Sequence, residues 1–183
     1  LRESEVFINA MTSFANPLLG ILVGIVFTSV IQSASAAVGI LQALAATGAV
    51  TFEIALPIIM GIAIGAAVPV LLSALGANVS GKRTAFVYLL IDVLGVVIWG
   101  CIFYAVNAVV HFDFMDTTMT TVSIALANTL FRLATVIVLA PLIGVLEKCV
   151  CLLIPENPES IREEQEMDRL EERFLLHPAL ALE

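Results

Sequence analysis

Apolar and polar positions alternate along this chain in long blocks, too long for the cores of soluble helices. From Asn16 to Val50 no residue is charged, and from Pro17 to Gly81 Glu53 is the only charged residue. A single bilayer span needs about 20 apolar residues and two need about 40 plus a turn. Residues 16–50 fit neither count, so they are expected to form a helical hairpin that dips into the membrane and returns. Residues 54–75, interrupted by Pro57, Gly61, Gly65 and Pro69, are expected to cross it fully, as are 84–110 and 121–147, the last kinked near Pro141. Residues 1–15 are amphipathic and read as an interfacial segment. The expected fold class is an all-α, polytopic membrane bundle with a re-entrant hairpin.

The hairpin carries a polar anomaly. In "VFTSVIQSASAAVG", residues 26–39, Thr28, Gln32, Ser33 and Ser35 crowd together. On a helix Gly20, Gly24, Thr28, Gln32 and Ser35 share one face. The glycine end of that stripe permits close backbone approach. The polar end is costly in hydrocarbon unless it is partnered, and irregular backbone at depth is tolerated only beside protein or a water-filled cavity. Hydroxyls, an amide and freed backbone groups at a hairpin tip can hold a solute, and helix ends at such a break suit ions. A lone Ser or Thr would be read as glue between helices; this cluster is read as a binding element. A second small-residue stripe, Gly61, Gly65, Pro69 and Ser73, reads as packing.

Composition agrees with the membrane reading: 60% hydrophobic, 13% charged, mean hydropathy +1.06. The net charge of −8 comes largely from residues 155–183, whose opening prolines read as a linker into a charged helix. It gives no footing for a nucleic-acid partner. Lys82, Arg83 and Lys148 flank spans on one side, and the loop "HFDFMDTTMT" has no Lys or Arg. The positive-inside rule makes the lysine side cytoplasmic, so the tail is cytoplasmic and Thr51–Glu53 lies outside. No nucleophile–base pair accompanies the serines, and His111 and His177 lie outside the spans, so an enzyme is not indicated. Cys101, Cys149 and Cys151 show no metal or disulfide spacing. The first residue is Leu1, and the ending reads as helix without a stop signal, as in a piece of a longer chain.

"GILVGIVFTSVI" followed by Gln32-Ser33-Ala34-Ser35-Ala36, then "GIAIGAAVP" at 61–69, "LIDVLG" at 90–95 and "NTLFR" at 128–132 resemble, in that order, landmarks of the type II Na⁺/phosphate cotransporter family. The tail "LEERFLLHPALALE" resembles the entry to the PhoU-like domain fused to its bacterial members. The resemblance implies sodium-coupled phosphate symport across the cell membrane, with no cofactor. The pathway would lie between two inverted repeats. This chain would supply the second repeat (residues 16–154) and the start of a cytoplasmic domain (155–183). The first repeat would come from the same chain or a second protomer. Carried over by position, Gln32, Ser33 and Ser35 would contact phosphate or sodium, with Thr28 nearby.

The departures are informative. Ala34 replaces the middle Ser of the hallmark, and Ala63 and Ala66 replace an Asn and a Thr, removing oxygens a hard cation needs. Asp92 and Arg132 stand where the family pattern has Asn. Both lie within spans, where charges are usually paired. By helical rise Asp92 lies about 15 Å in from Lys82 and Arg132 about 24 Å in from Lys148, a gap of about 9 Å that side chains and tilt can bridge. An Asp92–Arg132 pair is therefore expected. Besides transport, a second function class fits: a non-transporting anchor for a cytoplasmic regulatory domain.

Overall fold

A computed structural model describes residues 16–155; the expected interfacial segment and the charged part of the tail lie outside them. Asn16 starts the first helix. Its side chain accepts from the backbone N–H of Leu18 at 3.0 Å and of Leu19 at 3.4 Å, and Pro17 occupies the first turn, where no N–H is needed. Helix α1 (Pro17–Ile31) ends where Gln32 turns left-handed, with φ 57° and ψ 23°. Ser33 is extended, and its hydroxyl accepts from Ala36 N at 3.3 Å, capping α2 (Ala34–Ala46). The hairpin therefore reverses through two residues, both from the polar cluster.

Helices α3 (Phe52–Gly65) and α4 (Ala67–Ala74) follow with a break at Ala66, together making a 23-residue span. Pro69 explains the break: it cannot donate to the carbonyl of Gly65, and its ring crowds that carbonyl. Asn78 caps α5 (Val79–Val110), a 32-residue helix that ends at left-handed His111. A short 3₁₀ turn (Asp113–Asp116) leads to α6 (Thr121–Leu139), which a Thr120–Ser123 capping box begins. A 3₁₀ turn at Ala140–Leu142, containing Pro141, joins α6 to α7 (Ile143–Leu153). This last span is longer than expected, running from Thr121 to Leu153.

Among the described residues there are no strands, and three helical stretches are long and apolar enough to cross a membrane. Helix α3 is the centre, with Ala55, Ile59, Ile62 and Ala63 almost fully enclosed. Its most extensive partner is α1. The two run parallel: Gly61 meets Ile21 and Gly24, and four residues on Gly65 meets Ile25 and Thr28. Both arms of the hairpin therefore open toward the face where α3 begins. There, Phe52 N donates to Thr117 O at 3.1 Å and Met119 N to Val50 O at 2.8 Å, tying the hairpin's exit to the loop before α6. Phe52, Phe103, Phe112 and Phe114 cluster at the same face, with centroids 5.2 Å apart for Phe112–Phe114 and 5.3 Å for Phe52–Phe114; aromatic rings favour the membrane–water boundary. At the opposite face, Arg83 donates to the carbonyl of Ile154 through Nε at 3.1 Å and Nη2 at 3.0 Å. That bond holds the end of α7 against the start of α5.

Candidate functional site

The two interruptions, Gln32–Ser33 and Ala66, fall within about one helical turn of each other in depth. Because α1 and α3 are parallel, with Ile21 against Gly61 and Thr28 against Gly65, Ala66 lies beside the last turn of α1, about one helical turn short of Gln32. Fourteen residues separate Phe52 from Ala66, which at helical rise is about 21 Å below the face where α3 begins. Next to both breaks lies a cleft of about 440 Å³, lined by Ala34, Ser35, Val38, Ala66, Tyr88, Asn128 and Arg132. Four segments build it: the first turns of α2, the α3–α4 joint, and facing parts of α5 and of α6. Ala34 and Ser35 lie in the first turn of α2, where backbone N–H groups have no intrahelical acceptor.

The expected site residues are distributed as follows. Ser35 lines the cleft, and its hydroxyl lies 3.2 Å from that of Ser33. Ser33 caps α2 and orients that hydroxyl. Gln32 is exposed at the tip, and its left-handed backbone is one that non-glycine residues rarely adopt. Such strain persists where surrounding structure enforces it, often at functional sites. Thr28 is elsewhere. It is fully buried on the α1–α3 seam against Gly65, and its Oγ1 has no hydrogen-bond partner. Gly24 and Thr28 of the stripe thus pack against Gly61 and Gly65 rather than lining the cleft. A Cβ on Gly24 would collide with Ile58 O and come within 2.9 Å of Gly61 Cα.

The two charges are close but not joined. Asp92 is 6% exposed, and its Oδ2 is buried without a hydrogen-bond partner. The Arg132 charge acts on it through space, but among the described residues no hydrogen bond or ion pair engages the guanidinium. Arg132 lies in the cleft instead. Two lining residues, Tyr88 and Asn128, escaped the sequence reading. Asn128 Oδ1 is buried and unpartnered. Spacing could have found them: Tyr88 precedes Asp92 by four, and Asn128 precedes Arg132 by four, so each shares a face with a charge inside a span. Among the described residues, no group of three His, Cys, Asp or Glu could hold a metal ion.

The family model described as Na+/Pi-cotransporter matches residues 2–124. An uncharacterized protein, YqeW of Bacillus subtilis (strain 168), is 27% identical over 135 residues, covering 74% of this chain and 43% of that protein. This chain therefore spans less than half of that relative's length. No solved structure matches it.

Proposed function

This chain belongs to the Na+/Pi-cotransporter family, and from that premise we propose that it forms part of a pathway carrying inorganic phosphate with sodium across the cell membrane. The solute would sit at the tip formed by Gln32, Ser33 and Ser35. One observation carries the reading: two helix interruptions within about one turn of each other adjoin a cleft that holds Ser35, Asn128 and Arg132. Broken helices at mid-membrane supply the free backbone groups and terminal partial charges that hold anions and cations. Alternating access would need a second wall opposite this cleft. A first repeat, from the same chain or another protomer, would supply it.

Gln32 tests the assignment. In the full-length protein reconstituted into liposomes, Gln32→Ala should lower phosphate uptake by about tenfold or more, the scale of one lost bond to a charged group, with unchanged expression. Gln32→Gly is the companion: it suits the left-handed backbone, so its loss would reflect the missing side chain rather than backbone strain, and it should fail in the same way. Uptake kinetics equal to the unaltered protein's in both variants would withdraw the tip as the site.

The orientation has its own test. In a background without cysteine, Asp116→Cys should react with an impermeant thiol reagent from outside intact cells, and Gly76→Cys should not. The reverse pattern overturns the cytoplasmic placement of the C-terminal tail.

The anchor reading retains one specific support, the loss of side-chain oxygens at Ala63 and Ala66. Normal expression with no sodium-driven uptake by the unaltered protein would favour it.

A further inference from the structure

A guanidinium deep in a membrane bundle needs a counter-charge or strong acceptors, and Arg132 has neither in hand. Eleven residues separate it from Thr121 at the start of α6, about 16 Å at helical rise, farther than an arginine side chain can snorkel. Its neighbour in charge, Asp92, leaves Oδ2 unpartnered although Arg132 acts on it through space. A contact pair would have satisfied both groups. The side chain instead lines the cleft with Ser35, Tyr88 and Asn128.

We propose that Arg132 is an anion-binding residue of the hairpin-tip cleft, where its fixed positive charge receives a tetrahedral oxyanion beside Ser35 and Asn128. A guanidinium offers five N–H donors in a planar fork that fits two oxygens of one phosphate. The hydroxyls of Ser35 and Tyr88 and the amide of Asn128 add neutral donors around the same volume. About 440 Å³ is ample for such an anion with some of its water. The proposal rests on the transport reading only for the class of the solute, and it adds a consequence. Charge that the protein itself holds does not have to be brought by a cation. Since Ala63 and Ala66 carry no side-chain oxygen, anion binding here should persist when sodium is absent.

The test is thermal stability of the full-length protein in detergent, in sodium-free potassium buffer, titrated with inorganic phosphate and separately with sulfate. The unaltered protein should be stabilised by phosphate. Arg132→Gln should need about tenfold more phosphate for the same shift, and Arg132→Lys should fall between them. If Arg132→Gln does not fold, Asp92→Asn combined with Arg132→Asn replaces it, since neither charge is then left alone. Unchanged phosphate dependence in either variant overturns the proposal, as does an unaltered protein that responds to neither anion without sodium. Stabilisation by sulfate alone keeps the anion site and removes phosphate as its solute. Binding and uptake separate the two readings. Arg132-dependent binding without uptake removes transport and leaves the site, whereas uptake with Arg132-independent binding does the reverse.

Discussion

The hairpin side of the bundle and the long-helix side are both apolar enough to enter a membrane, yet they use that apolarity differently. In the span Phe52–Ala74, 61% of the most apolar stretch is buried within the protein, against 22% in Val79–Val110 and 17% in Thr121–Leu153. Val109 is 81% exposed and Leu152 84% exposed, while Ile59 is 1% exposed. Hydropathy therefore marks which segments enter the membrane without marking what they touch. Small residues do that. Lipid is as apolar as leucine, so helices associate in it through close packing, and glycine permits the closest approach. The α1–α3 seam brings Gly24, Gly61 and Gly65 into backbone contact, and the hairpin is held against α3 by that seam.

The contrast breaks most sharply at Gly61. An added Cβ there would collide with Ile21 O and come within 2.9 Å of Gly24 Cα. Backbone on both sides cannot rotate away. Gly61→Ala should therefore cost about 3 kcal/mol, the upper end for overpacking, read as a fall in thermal midpoint in detergent. Gly39→Ala is its control, because nothing lies within 4 Å of that added Cβ on α2. It should gain about 0.5–1 kcal/mol from helix propensity. Equal effects at the two glycines would show that the seam does not hold the hairpin.

Much of this was legible before the structure. A charge-free block too long for one span and too short for two pointed to the hairpin, and the one dense polar cluster in it marks the break. The small-residue stripe at Gly61 and Gly65 reads as packing and does pack. Thr28 was harder to place. Periodicity puts it on one face with Gln32 and Ser35, but the helix ends between them, and beyond a break a shared face no longer means a shared neighbour. Pro69 was visible as an interruption, although the break falls a turn earlier, at Ala66, because proline acts on the carbonyl four residues back. Helical rise placed Asp92 and Arg132 at compatible depths. Depth leaves azimuth open, and azimuth sends Arg132 to the cleft. Tyr88 and Asn128 were missed because a single tyrosine or asparagine in a span carries no signal until a charge four residues away defines its face.

The smaller effect belongs to the long-helix side, at its own glycine crossing. An added Cβ at Gly95 would lie 2.5 Å from Thr135 Cγ2 and 2.8 Å from its Oγ1. The obstacle is thus a side chain, not backbone. Thr135 is 4% exposed and its hydroxyl already donates to Phe131 O at 2.8 Å, so the threonine is held in place but can be cut away. Gly95→Ala alone should cost about 1–2 kcal/mol, within the usual range for an extra methyl in a packed contact. Thr135→Ala alone should cost less, since the Phe131 carbonyl keeps its helical bond. Combined, the two should recover most of the Gly95→Ala loss, because the new methyl fills the space the threonine leaves. The measurement is a four-protein thermal series, and the expected coupling is at least about 0.5 kcal/mol, the least expected for residues in contact. No second substitution of that kind can rescue Gly61→Ala, where the neighbour is main chain. If Gly95→Ala and Thr135→Ala simply add, α5 and α6 are not locked at this crossing. The long-helix side would then be held by its ends, through the Arg83–Ile154 bond and the capped loop before α6, rather than along its length.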